Sequence, residues 1–448
     1  MNDGNVRLAL LCVAQFVVVL DVTIVAIALP AIGDDLGVSA TDLQWVVSAY
    51  TLTFGGLLML AGRAADLYGR RCAFRAGLLL FAAASLGCAL APTAEALVAL
   101  RALQGAGAAL VAPSALALLV ATEPEGAART RALAVWTAAA AGGGASGWVL
   151  GGAITGGLGW PWVFAVNVPV GLAGVALAAR LLPESREPGA TRLDVPGALA
   201  LTAGVGAVLF GLSRGATEGF SSVATLGSLA AGVALLALFA VIERRAPAPL
   251  LPAGALRAPG LARATFAALA ITGTTSPAMF LCVLQVQRDG GVAPAEAGLL
   301  FAPLNVAVIA GSLAGPRITA RTGERTAMAG GLAAIAAAAA WLAAAGADPG
   351  AGLLAAFGLM GGGLGVASVA STASGTNDTE QPGLASGLLN TAAQLGSALG
   401  LALLVAPAAA AGFAWGWAGA AAVAVATALA IACVRRPVAT ACPRRSPG

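Results

Sequence analysis

Neither lysine nor histidine occurs in this chain of 448 residues; all 24 basic side chains are arginine. Without lysine there is no P-loop lysine and no Schiff base, so the chain does not drive work with an ATPase of its own. Without histidine there is no Ser-His-Asp triad, no HExxH zinc helix and no imidazole shuttle, so any proton must be handled by carboxylates. Charge of either sign is scarce, at 10% of residues, against roughly 25% in a soluble domain. The six cysteines, Cys12, Cys72, Cys88, Cys282, Cys433 and Cys442, stand singly, without CxxC pairs or a disulfide framework. They read as small apolar fillers, and no metal site and no cofactor are expected.

What is present is apolar: 59% of residues are hydrophobic and 60 are glycine. Runs of 18 or more apolar residues between polar breaks predict fourteen membrane helices. The first run is too long for a signal-peptide core, so it is expected to be retained. With a cytoplasmic N-terminus, 21 of the 24 arginines fall on the inside; Arg101 lies within the fourth span and only Arg214 and Arg288 lie outside. The positive-inside rule then places both termini in the cytoplasm and the chain in an inner or plasma membrane as a multi-pass protein. The charges form no patch for nucleic acid.

Two connections divide the chain. The expected organisation is a six-helix bundle over 1–182, a cytoplasmic linker 183–192, an inserted hairpin 193–242, a second linker 243–262, a second six-helix bundle 263–434 and a cytoplasmic tail 435–448. An internal echo supports the two halves: a shift of 254 positions aligns Arg63 with Arg317, Gly69 with Gly323 and Arg71 with Arg325. Paired repeats are a common plan of secondary transporters.

Leu8 to Leu29 spans a bilayer and carries a single charge, Asp21. A carboxylate at that depth is costly and normally faces a protein interior or a water path, which makes it a proton or cation site unless a structural hydrogen bond silences it. Arg101 sits a turn or two inside the fourth span; it either meets a partner such as Asp21 or snorkels to the surface.

Several motifs carry a family resemblance. GRAADLYGRR, with Gly62, Asp66, Gly69, Arg70 and Arg71, resembles the signature loop after span two of the major facilitator superfamily. The resemblance implies that Asp66 helps hold the two halves together, with the start of span thirteen near Gly383 as acceptor. Arg101-Ala102-Leu103-Gln104-Gly105-Ala106-Gly107 is similar to the R-x-x-Q-G-x-G pattern of span four. Gly143, Gly147 and Gly151, followed by Gly152, resemble the antiporter motif of span five, with Trp148 where the family has proline; four-residue spacing of small residues also lets helices approach closely. LDVTIVAIALP, the run from Trp160 to Gly171 with Asn167, and the run from Gly383 to Gly396 with Ala393 in place of arginine resemble the fourteen-span drug/proton antiporters of the EmrB/QacA group.

The resemblance implies an all-α polytopic membrane protein of the major facilitator fold, two six-helix bundles plus the hairpin. It implies proton-coupled efflux of amphipathic or cationic small molecules, drugs or antibiotics among them, by alternating access, with no enzymatic activity and the proton gradient as energy source. The expected partners are a small-molecule substrate, protons and the lipid bilayer, with the chain acting as a monomer. Asp21 and Arg101 are the expected coupling residues. The readings set beside it are a carrier for one metabolite and a non-transporting receptor or scaffold, which would need a larger soluble part than a tail of about a dozen residues. Small and apolar side chains such as Met59, Phe81, Trp136, Met279, Phe280 and Phe301 suit the lining of a loose hydrophobic pocket, but residues of these types more often pack or face lipid, and none is taken as a site residue.

Overall fold

In hydrocarbon every backbone N–H and C=O must be satisfied internally, so apolar runs of this length have one outcome, the helix. The computed structural model describes residues 3–124, 127–186, 193–247, 249–250, 258–377 and 382–433. The N-terminal half contains α1 (Asp3–Leu36), α2 (Ala40–Tyr68), α3 (Arg70–Ala89), α4 (Ala94–Thr122), α5 (Ala127–Leu158), α6 (Pro161–Ala165) and α7 (Asn167–Leu181). A hairpin of α8 (Val195–Glu218) and α9 (Val223–Arg245) follows. The C-terminal half contains α10 (Pro259–Leu284, continued by a π-helical turn to Asp289), α11 (Pro294–Leu300), α12 (Ala302–Thr322), α13 (Glu324–Ala345), α14 (Ala351–Asn377), α15 (Pro382–Ala411) and α16 (Phe413–Cys433).

Among the described residues these helices make fourteen spans long and apolar enough to cross a bilayer, the number the sequence predicts. The sixth and tenth are broken, α6 from α7 and α11 from α12. Each break lies just upstream of a proline, Pro169 and Pro303, whose missing N–H leaves the carbonyl four residues back without its helical partner. The second connection is shorter than expected, because α9 runs on to Arg245 and α10 begins at Pro259. The first is described only as far as Arg186, and the tail 435–448 lies outside the described residues.

The internal echo is structural. Gly69 and Gly323 each end one helix and open the next with positive φ, 118° and 82°, a conformation glycine adopts without strain. Their N–H groups donate to Ala65 O at 3.0 Å and Thr319 O at 2.9 Å. Arg71 then donates to Leu182 O, just past α7, at 3.1 Å, and Arg325 donates to Ile431 O at 2.5 Å and Ala432 O at 2.6 Å at the end of α16. In both halves, then, an arginine of the loop between the second and third spans caps the last carbonyls of the sixth, where a cation suits the helix dipole. The end of the molecule holding these loops is termed below the arginine-rich face, and its opposite the distal face.

The halves meet at the distal face. Gln287 donates to Ile27 O at 2.9 Å, and Arg288 pairs with Asp34 at 3.5 Å. Trp148 of α5 stacks on Phe301, centroids 4.5 Å apart and planes 7° from parallel. Met279, Phe280 and Phe301 take the packing role, buried in the continuous core behind this contact, and Phe81 is buried in the N-terminal bundle. They fill the closed structure because large apolar side chains are most stable away from any aqueous path. The hairpin is no appendage: Val205 and Leu209 of α8 share a core with Leu52 of α2 and Leu395, Ala398 and Ala402 of α15. Gln44 of α2 also donates to Ser213 of α8 at 3.2 Å.

Candidate functional site

Asp21 lies midway along α1 and is completely buried, as is Arg101 of α4. Arg101 Nη1 donates to Asp21 Oδ2, so the acid and base expected from the sequence are in contact. Two carboxamides satisfy the other oxygen: Gln104 Nε2 and Asn167 Nδ2 each donate to Asp21 Oδ1 at 2.8 Å. Arg101 is itself held at every side. Its Nε donates to Val46 O at 2.9 Å, its Nη1 to Gln104 Oε1 at 2.6 Å, and its guanidinium lies 4.3 Å from the centroid of the Tyr50 ring. Gln104 also reaches Ser85 Oγ at 2.8 Å. The snorkelling alternative for Arg101 is thereby removed.

A buried ion pair persists only when the remaining lone pairs and protons are satisfied, and four helices contribute to that here. Helix geometry places Arg101 and Gln104 on one side of α4, three residues apart. Asn167 opens α7 immediately after the break at Val166, so the proline-induced interruption delivers its amide to the carboxylate. Gln104 and Asn167 belong to the span-four and span-six motifs, and the sequence alone does not join them to Asp21. Their polarity inside apolar spans is visible in the sequence, but their convergence on Asp21 from α4 and α7 is a property of the fold, as is that of Ser85.

The span-five glycines serve two contacts. A Cβ on Gly143 would lie 2.3 Å from Phe16 O, and one on Gly151 2.7 Å from Ile24 O, both on the backbone of α1. Gly147 faces Thr23 and the Ile24 N–H of the same helix. This stripe presses α1 against α5 and sets the position of Asp21. Gly152 points elsewhere, its Cβ position 2.3 Å from Pro294 O of the other half. Trp148 in place of proline leaves α5 uninterrupted.

In the loop between α2 and α3, Arg70 pairs with Asp66 at 2.9 Å. The Arg70 N–H donates to Ser185 O at 2.9 Å and the Arg71 N–H to Glu184 Oε1 at 3.0 Å. Gly69 has no room for a side chain, because Glu184 Oε1 lies 2.7 Å from its Cβ position, whereas at Gly62 the nearest atom stands off at 3.6 Å. The acceptor expected for Asp66 near Gly383 falls among side chains outside the described residues. A separate pocket of about 210 Å³ in the C-terminal half is lined by Thr272, Ser371, Thr372, Asn390 and Ala393 among others, with no charged group.

Comparison with known proteins agrees with this architecture. The family described as Major Facilitator Superfamily matches residues 11–401. The chain is 40% identical over 413 residues to the cephamycin export protein CmcT of Amycolatopsis lactamdurans, covering 90% of this chain and 85% of that one. It is 39% identical over 406 residues to the puromycin resistance protein pur8 of Streptomyces alboniger, covering 89% and 80%. Among solved structures, a peptide transporter POT in complex with sulfate superposes with a TM-score of 0.71 over 95% of this chain and 93% of that one, at 16% identity, a likeness of fold.

Proposed function

Because the chain belongs to the Major Facilitator Superfamily, we propose that it exports amphipathic or cationic small molecules, antibiotics among them, and that an inward-moving proton drives each cycle. The observation that carries the proton-coupled reading is the buried carboxylate of Asp21 and what surrounds it. Its Oδ1 already accepts two amide hydrogens, so an arriving proton must take Oδ2, the oxygen that Arg101 occupies. Proton and guanidinium therefore compete for one atom. When the proton wins, Arg101 is left charged and buried and must find new partners, which shifts α4 relative to α1. Loss of the proton restores the pair. Such a two-position contact biases an alternating-access equilibrium by the difference in its free energy between the two states. The neutral pocket beside Ala393 supports recognition through hydroxyl and amide groups and apolar contact.

An efflux-deficient bacterial host expressing the chain is expected to gain resistance to a subset of amphipathic antibiotics, and to lose it when a protonophore collapses the gradient. Resistance to no compound in a broad panel would remove the export reading.

Orientation is tested separately. We place the arginine-rich face in the cytoplasm of the cell membrane, both termini with it. Reporter fusions at Asp35, Glu218 and Asp348 should read outside, and those at Arg70, Pro188 and Arg321 inside; Pro188 lies outside the described residues. Inversion of every site beyond residue 243 would mean that only one of α8 and α9 crosses the membrane, whereas an inside reading at Glu218 alone would mean that neither does.

Asp66→Asn should insert normally yet slow export by roughly 5-fold or more, the lower end of a 1–3 kcal/mol coupling. Normal transport by a well-expressed Asp66→Asn protein would leave the Asp66–Arg70 pair a local loop contact.

A further inference from the structure

Away from the Asp21 network, the N-terminal bundle carries a groove of about 450 Å³ between α1 and α7, floored by α3. Its walls hold no polar side chain: Leu10, Ala14, Leu78 and Phe81 form the buried floor, and Val13 and Leu177 the exposed rim. No residue of the C-terminal half lines it. Along α1 it extends from Val6 to Val18, which at 1.5 Å per residue is about 18 Å. The hydrocarbon of one leaflet, half of an approximately 30 Å core, is about 15 Å deep.

The groove ends in cations. Arg7 lies one helical turn before Leu10, Arg75 one turn before Leu78 and Arg180 one turn after Leu177, so each continues the groove-facing side of its helix toward the arginine-rich face. None of the three has a hydrogen-bond or ion-pair partner among the described residues, and Arg7 Nε is buried without one. Glu184, the carboxylate following α7, is held by Arg71. Three guanidinium groups with no partner among the described residues, at the mouth of a leaflet-length apolar channel, suit a ligand with an anionic head and a long hydrocarbon chain. Guanidinium matches phosphate oxygens in pairs, and these arginines offer a choline or ethanolamine head no counter-charge.

We propose that this groove is a binding site for an anionic phospholipid, with one acyl chain between α1 and α7 and the phosphate among Arg7, Arg75 and Arg180. The lipid then packs along the same helix that carries Asp21, which lies less than one turn beyond the groove's inner end at Val18.

The test uses the purified full chain reconstituted in nanodiscs of equal phosphatidylglycerol and phosphatidylcholine, released into detergent and weighed with its retained lipid by native mass spectrometry. Wild type should retain one phosphatidylglycerol in preference to phosphatidylcholine by about tenfold or more, as expected when several arginines meet an anionic head. Arg7→Gln/Arg180→Gln should abolish the preference, and Arg7→Lys/Arg180→Lys should keep most of it. Ala173→Phe, which fills the groove from its exposed rim with all arginines in place, should lower retention of the lipid itself, and it decides the matter if the glutamine pair folds poorly. Equal retention of the two lipids by wild type, or unchanged retention in Ala173→Phe, would overturn the proposal. So would displacement of the lipid by ethidium, which would make the groove a substrate site.

Discussion

Asp21→Asn protein, reconstituted in vesicles with an imposed pH gradient, is expected to bind substrate and move no protons in exchange for it. The substitution keeps the size of a side chain that is wholly buried and removes its titration. It also turns one of two accepting oxygens into a donor, which must then face either Arg101 or the amides of Gln104 and Asn167. Some loss of stability will accompany the loss of coupling. The two are separated by measuring substrate binding, which should survive in part, against substrate-induced proton flux, which should fall to the level of empty vesicles. Removing the other partner is harsher. Arg101→Ala leaves a carboxylate buried without its counter-charge, a change that costs about 3–5 kcal/mol in folded proteins, and should chiefly lower the yield of folded protein. Proton exchange at the wild-type rate by Asp21→Asn would make Asp21 structural and send the search for the coupling group elsewhere.

The second large effect is expected at span five, where two glycines nine residues apart should fail in different ways. Gly143→Val drives a side chain into the backbone of α1 at Phe16, inside one bundle. Nothing there can yield except the helix, and overpacking of this kind costs about 1–3 kcal/mol or more. The expected result is a protein that melts at lower temperature and elutes largely as aggregate. Gly152→Val meets the Pro294 carbonyl of the opposite half, and halves that rock can part. Gly152→Val should therefore fold, with its distal ends separated more often than in wild type, a population shift of roughly 5- to 150-fold for 1–3 kcal/mol. Spin labels at Leu36 and Ala293 in a cysteine-free background would read it as a longer distance. An unchanged distance would show that the distal contact tolerates the added side chain.

The spans were legible because a bilayer imposes length and apolarity on each segment independently, so all fourteen follow from local composition. Asp21 and Arg101 were legible for the complementary reason, each being a charge where charge is costly. The glycines of α5 announced close packing but not against what. Periodicity gives the face of a helix, and only the fold reveals that three of them meet α1 while Gly152 meets α11. Trp148 read as a departure from a pattern; its stacking on Phe301, more than 150 positions away, has no local signal. The amides Gln104 and Asn167 were visible as letters of two motifs, but a linear pattern does not say which side chain each one meets. Met279 and Phe280 were undecided by type, which suits a hydrophobic pocket and a hydrophobic core alike; the fold buries both in the core.

The seat of α8 against both α2 and α15 has a mechanical consequence. Thr202 of α8 fills the space beside Gly56 of α2, and Val205 and Leu209 reach across to α15. Along that edge the two bundles share a doorpost. A rotation that swings α5 away from α11 has its smallest travel at α8 and its largest on the far side, as a door moves most at its handle. In this structure the α8 edge is thus sealed by packed side chains, so an opening that parts the α5–α11 contact would admit a lipid-dissolved molecule on the opposite side of the molecule.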